Sequence, residues 1–399
     1  MLERQIEDSL RCVVENLKAS PTPGAVPASL SKVDPNYFFH WVRDAAITVN
    51  ELVYWQENHL DIQEFIEASR QFSRQLRKFS KVREGFGEPR FLLTGEMDNS
   101  TWPRPQFDGP ALRALEEIAT CRRQACQDIS SIQADLEAIV VNWRRPGYDL
   151  WEESYGYHFF NFAVQAAALR VGSQFFQQQG HGKLAQIFQS TARQIADLLP
   201  KFWDSERKIF RPTLYDVGDL GFAFPNGLMA VYSELKFMGK KRTQADIAVV
   251  LAFLVDPDLQ KQLAPRALES VQSLERAFVN VFPIGKSEGS LLFMGRYPED
   301  TYDGIKTASL GNPWYLSQAA MAQFYYQQVA GLQASQEFLD HGDRYLNVIL
   351  KYHGPGGSLA EELDRGTGRP TGATDLTWSH IAFLSAARTR QQAINSFKY

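Results

Sequence analysis

The chain has 399 residues, 44% of them hydrophobic and 22% charged, a balance that buries a substantial core as one large domain or two medium ones. A formal net charge of -4 and a pI near 6.0 provide no basic surface of the kind that neutralises phosphates, which excludes nucleic acid as an expected partner. Aromatic residues make up 13% of the chain, and several of the 8 tryptophans stand in polar, loop-like stretches. Any one of them is better explained as core; their shared placement points to a neutral, ring-shaped ligand.

The first twenty residues place Leu2, Ile6, Leu10, Val13, Val14 and Leu17 on one face of a helix, with charges opposite. This pattern is neither a signal peptide nor a membrane span. Cys12, Cys121 and Cys126 are odd in number and no Cys/His cluster has zinc-ligand spacing, so they read as buried thiols in a reducing compartment. The expectation is a cytoplasmic, monomeric protein with no cofactor, no metal and no membrane partner; a removed leader would leave the same sequence.

Helical periodicity dominates the rest of the chain, and alternating strands are scarce. At intervals of roughly 50–85 residues, a loop rich in Gly, Pro, Asp and aromatics runs into a helix full of small or apolar residues. Six such units begin at YFFHWVRDAAITVNELVYW (37–55), DGPALRALEEIATC (108–121), YGYHFFNFAVQAAALRVG (155–172), PNGLMAVYSELKFMG (225–239), GNPWYLSQAAMAQFYYQQV (311–329) and GATDLTWSHIAFLSAA (372–387). Amphipathic helices are expected between them at 61–79, 126–143, 178–198, 263–281 and 333–352. Helices apolar all round belong inside and amphipathic ones at a surface, so the alternation predicts an all-α (α/α)6 barrel of six inner and about six outer helices. The competing arrangement is an irregular helical repeat, in which the loops would be only turns. No linker divides the chain, and a single domain over 1–399 leaves no room for a separate binding domain.

The loops hold the candidate chemistry. The first supplies Tyr37, His40, Trp41, Arg43 and Asp44; an Arg–Asp pair can clamp adjacent hydroxyls, and serves equally well as a helix-entry ion pair. In the second, Trp102 offers a flat apolar face, while Asp108 with Pro110 reads as a helix N-cap. The third, YDLWEESYG, holds Asp149, Trp151, Glu152 and Glu153; acids before a helix usually serve its dipole, but a carboxyl beside aromatics can have a raised pKa and donate a proton. Further on, GRYPEDTYDG and GNPWYLS give Arg296, Asp300 and Trp314, with Asp300 either aiming Arg296 at a ligand or pinning the loop. The last stretch supplies Glu361, Glu362, Asp364 and Trp378, and LAEELD by itself reads as an exposed acidic helix turn.

In this order, YFFHWVRDAA, TWPRPQFDGPALRA, YDLWEESYGYHFF, GRYPEDTY, GNPWYLS, LAEELDRGTG and DLTWSHIAFLSA closely resemble the glucoamylases of glycoside hydrolase family 15, across about residues 35–388. The resemblance implies the (α/α)6 fold without a starch-binding domain, no cofactor, and an α-glucan substrate. It makes Glu152 the general acid and Glu361 the general base of an inverting hydrolysis. Arg43, Asp44, Glu153 and Arg296 would bind the terminal glucose, Trp41, Trp102, Trp314 and Trp378 would form aromatic walls, and Tyr37 would lie near the developing oxocarbenium charge; Trp151 and Asp300 are expected among the substrate-binding residues. Inversion requires carboxyls about 6.5–9.5 Å apart, which leaves space for the attacking water.

Three positions depart from the family pattern: His40 stands where Thr or Gln is usual, Glu362 where Gln is usual, and Thr374 where Arg precedes the DLTW segment. Glucodextranase or trehalase activity is the alternative within the enzyme class. A non-catalytic glucan-sensing domain, as in phosphorylase kinase regulatory subunits, is the alternative outside it.

Overall fold

In the computed structural model, the described residues are all but 58, 78–84, 124–125, 127, 216, 221–244, 287–288, 290, 308, 332–334 and 398–399. The main helices are α1 (Leu2–Lys18), α2 (Val42–Trp55), α3 (Leu60–Leu76), α4 (Gly109–Arg123), α5 (Ser130–Asn142), α6 (Phe159–Gln178), α7 (Gly182–Ala196), α8 (Ile247–Val255), α9 (Arg266–Phe278), α10 (Tyr315–Gly331), α11 (Gln336–Tyr352) and α12 (Thr377–Ser396). Five of the six expected loop-to-helix units end in α2, α4, α6, α10 and α12; the one at 225–239 lies outside the described residues. The expected amphipathic helices are α3, α5, α7, α9 and α11. Among the described residues, no helix is long and apolar enough to cross a membrane.

The chain divides into two compact units: Met1–Gln75 with Arg90–Glu96 and Val271–Tyr399, and Leu76–Pro89 with Met97–Ser270. In the first unit α12 packs on α1, α2, α10 and α11. Leu10, Val13 and Leu17 of α1 meet Val49 and Leu52 of α2 and Ile381 and Leu384 of α12 in one apolar cluster, so the amphipathic face seen at the N-terminus finds its partners there. In the second unit α6 is central and packs on α4, α5, α7 and α8. Its small residues allow this close approach, since a Cβ at Gly172 would collide with the Leu136 side chain of α5. The shared charges of this unit are buried too. Asp135 accepts hydrogen bonds from both Arg77 and Arg113, and two guanidiniums hold its carboxyl below the usual range against the cost of burial.

Among the described residues the strands are short and antiparallel and brace loops, in two-stranded pairs and one three-stranded sheet. In the first unit His40–Trp41 pairs with Arg90–Phe91 and Glu362–Leu363 with Pro370–Thr371; in the second, Gly147–Tyr148 pairs with Tyr155 and Gly156.

One expectation is corrected. Cys121 and Cys126 form a disulfide, with Cα atoms 5.1 Å apart, and only Cys12 is a free, buried thiol. Cys121 sits in the last turn of α4, and the chain brings Cys126 back within bridging distance. The pairing removes the three-thiol premise on which a reducing compartment was expected.

Candidate active site

In the first unit, the hairpin of Glu362–Leu363 with Pro370–Thr371 carries Glu361 at its edge, where Glu361 N–H donates to the Ala373 carbonyl at 2.8 Å. Glu361 and Glu362 are both fully buried at 0% exposure, which overturns the reading of LAEELD as an exposed helix turn. Glu361 Oε1 accepts the Tyr37 hydroxyl at 2.8 Å, and Oε2 accepts the Tyr302 hydroxyl at 3.2 Å and Ala373 N–H at 3.3 Å. Burial pushes this carboxyl up to about 7, while the hydrogen bond from Tyr37 pulls the other way. Burial first, and the neighbouring carboxylate second, raise Tyr37 and Tyr302 far above the ordinary phenol value, so both remain donors.

Room for this arrangement comes from two glycines. Gly372 has φ +75° and Gly304 φ +88°; a Cβ at Gly372 would lie 2.6 Å from Glu361 Oε2, and one at Gly304 would lie 2.7 Å from the Gly372 Cα.

Around Glu361 stand the other predicted residues of this unit. Arg296 donates to both oxygens of Asp300 at 2.7 Å, and its guanidinium lies 5.1 Å from the Trp314 ring centroid and 5.2 Å from that of Tyr302. Asp300 also accepts Tyr302 N–H at 3.0 Å, so it both aims Arg296 and fixes the loop. Trp41 packs edge-on against Tyr37 at 5.4 Å and is the N-cap residue of α2. Arg43 and Asp44 follow in the first turn of α2, 4.0 Å apart and buried, with the Arg43 guanidinium 6.0 Å from the Trp378 ring. Ser379, next to Trp378, donates to the Ala360 carbonyl at 2.8 Å and so ties the head of α12 to the segment that carries Glu361.

Glu362 accepts the Asn312 amide on Oε2 at 2.8 Å, and among the described residues its Oε1 has no hydrogen-bond partner. Burial first and Glu361 second raise its pKa well above the usual carboxylate range. His40 is structural: its Nδ1 accepts Val26 N–H at 3.0 Å and its ring packs on Phe72. The Thr374 side chain is exposed, while its carbonyl accepts the Ser29 hydroxyl.

In the second unit, Glu152 sits in the loop closed by the Gly147–Tyr148 hairpin, with φ +64°. A glutamate in the left-handed region is uncommon and needs support from its surroundings. Asp149 provides it, accepting Glu153 N–H and Ser154 N–H, both at 2.8 Å, while its own carbonyl accepts Glu152 N–H at 3.0 Å. Buried Gln106 then donates to Glu152 Oε1 at 3.0 Å. Glu153 and Trp102 are half-buried. Trp151 is buried and donates its indole N–H to Asp246, whose same oxygen caps α8 by accepting Ala248 N–H. Trp151 is thus committed to holding this loop against a helix start.

Sequence reasoning missed Tyr302, Asn312 and Gln106 as partners of the carboxyls. All three lie inside the family-like motifs, but nothing in their spacing revealed contacts made across 59, 50 and 46 residues.

The sequence profile of the glycosyl hydrolases family 15 matches residues 8–340 and 332–388. The chain belongs to glycosyl hydrolase family 15. It is 30% identical to the glucoamylase of Blastobotrys adeninivorans over 94% of this chain and 69% of that protein. It is also 30% identical to glucoamylase 1 of Rhizopus oryzae, over 93% and 67%. Its structure is similar to that of a Saccharomycopsis fibuligera glucoamylase, with a TM-score of 0.83 and 26% identity, covering 98% of this chain and 95% of the other. The family 15 chain therefore has the expected all-α (α/α)6 fold class and is a glycoside hydrolase.

Proposed function

We propose that this family 15 chain is an inverting, exo-acting enzyme that releases β-glucose from the non-reducing ends of α-1,4-linked glucans and maltooligosaccharides, with weaker α-1,6 cleavage. Glu361 is the general base and Glu152 the general acid. The supporting observation is the setting of Glu361: a fully buried carboxyl oriented by two tyrosine hydroxyls, with no cation in direct contact among its described partners. A carboxylate so held keeps its basicity and takes a proton from water, rather than being neutralised by an ion pair.

Arg296, steered by Asp300 and stacked on Trp314, would grip hydroxyls of the terminal sugar, as would Arg43 and Asp44. The neutral tyrosine Tyr37 lends its oxygen lone pair to an oxocarbenium-like centre without becoming ionised. Glu152, fixed by Gln106 and the Asp149 loop, would protonate the leaving oxygen. One displacement by water then inverts the anomeric carbon.

The test is proton NMR in the first minutes of maltoheptaose hydrolysis, run beside isomaltose, trehalose and dextran. β-Glucose appearing first, with no intermediate-sized early products, is the expected result. Initial α-glucose would overturn inversion, and mixed oligosaccharides would overturn exo action. Faster turnover of trehalose or dextran would transfer the assignment to the corresponding activity.

A further inference from the structure

We propose that Cys12, Asp375 and His380 form a binding site for a zinc-like divalent cation, distinct from the residues assigned to glycoside hydrolysis. The three come from α1, from the residue pair preceding α12, and from the first turn of α12. The sequence hides the group, since Cys12 and His380 lie at opposite ends of the chain. One sulfur, one ring nitrogen and one carboxylate oxygen all lie within 4.8 Å of one another. This mixed S/N/O set with three protein donors is the kind that zinc accepts while keeping a fourth position for water.

The contacts around His380 define where an ion would sit. His380 Nε2 lies 3.3 Å from both Leu359 N and Asp375 Oδ1, and Nδ1 lies 3.1 Å from the Ser9 hydroxyl. An ion bound at Nε2 would take the place of these contacts and join the ring to Asp375 Oδ1, 3.3 Å away. Two donors at that separation, each about 2.0–2.1 Å from a zinc ion, subtend roughly the tetrahedral angle. A tetrahedral site needs the sulfur about 3.5 Å from the other donors, and with all three donors within 4.8 Å the Cys12 sulfur closes by at most about 1.3 Å. With Nε2 on the ion, Nδ1–H would donate to the Ser9 hydroxyl 3.1 Å away, the outer hydrogen bond that metal-bound histidines usually make.

Burial and access agree with this. His380 is fully buried and Cys12 6% exposed, whereas the Asp375 side chain is 38% exposed and gives an ion its way in. Burial pushes the Cys12 thiol up to about 11, so one proton leaves the sulfur for solvent when the metal–sulfur bond forms. The bound ion would pin α1 to the head of α12, the helix that carries Trp378.

The test uses the full chain with its disulfide intact, stripped by a chelator and titrated with Co2+ alone and then Zn2+ alone. The expected result is one equivalent of Co2+ with a thiolate-to-metal charge-transfer band that Zn2+ abolishes. Affinity should rise about tenfold per pH unit near neutrality, as one proton is released. Cys12→Ser should lose the band, and Asp375→Asn, at a half-exposed position, should weaken binding by about tenfold or more. Absence of the band, pH-independent affinity, or unchanged affinity in Asp375→Asn would each overturn the site. Should Cys12→Ser fail to fold, the pH slope of the unaltered protein and Asp375→Asn still decide. Every readout is binding, so the outcome is independent of what the chain hydrolyses.

Discussion

Tyr37 and Glu361 meet through a 2.8 Å hydrogen bond across 324 residues, the shorter of two phenol contacts that hold opposite oxygens of one buried carboxyl. Removing the Tyr37 hydroxyl takes away a donor that stabilises the anion. Tyr37→Phe should therefore raise the Glu361 pKa, shift the acidic limb of kcat/KM to higher pH and lower kcat by about 10- to 100-fold. Tyr302→Phe, removing the longer bond, should do the same more weakly. A pH profile of each variant on maltoheptaose checks both; an unmoved acidic limb in Tyr37→Phe would mean the hydroxyl does not tune the base.

Glu361 should also leave a signature in stability. Its folded pKa of about 7 lies above the ordinary value of 4.5. The stability it contributes is thus fully present below about pH 4.5 and is lost as pH rises through about 7. Glu361→Gln cannot ionise. It should abolish most activity while gaining on the parent protein by up to about 3 kcal/mol between pH 4.5 and 8, at about 1.4 kcal/mol per pKa unit. Thermal denaturation of both proteins across that range measures the difference. A constant gap would show that the carboxyl is not raised.

Much of this was legible before the structure, and the failures have physical reasons. The loop-to-helix units announced α2, α6 and α12 because small and apolar residues dominate the starts of these helices and are buried there. α8 escaped notice because a nine-residue run such as Ile247–Val255 is too short for periodicity to tell a helix from a buried strand. The motif around Glu152 was readable, but its positive φ and its dependence on Asp149 and Gln106 were not, since they are properties of a closed loop. Glu361 was picked by motif while the acidic run around it argued for exposure, and only the hairpin buries it.

Glu362 offers a test of charge beside the base. Fully buried, with one neutral amide donor and an oxygen lacking a partner among the described residues, it is held as the neutral acid. Glu362→Gln then changes no charge, so kcat/KM should keep its acidic limb and change by less than about threefold. An ionised Glu362 predicts the opposite, because deleting a negative charge next to Glu361 lowers the base's pKa. A downward shift of that limb by a full pH unit would establish ionisation.

Gly372 shows how tightly Glu361 is enclosed. Its φ of +75° is costly for any residue with a Cβ, and that Cβ would stand 2.6 Å from Glu361 Oε2 and 3.0 Å from the Glu361 Cβ. The first contact forces a shift and the second is tight, and Glu361 has little freedom to yield, because its backbone is tied to Ala373 and both its oxygens to tyrosines. Gly372→Ala should cost about 1–3 kcal/mol of stability from backbone strain alone. It should also lower kcat by about 100-fold, since a displacement of 1 Å at the reacting group is enough for a loss of that size. The two effects are separated by comparing Gly372→Ala with Gly368→Ala, where φ is +73° and the added Cβ meets Tyr352 and Ile284 instead. Both variants should lose thermal stability, but only Gly372→Ala should lose activity well below its unfolding temperature. Equal losses of activity in the two would mean that strain in the hairpin, and not the crowding of Glu361, limits the enzyme.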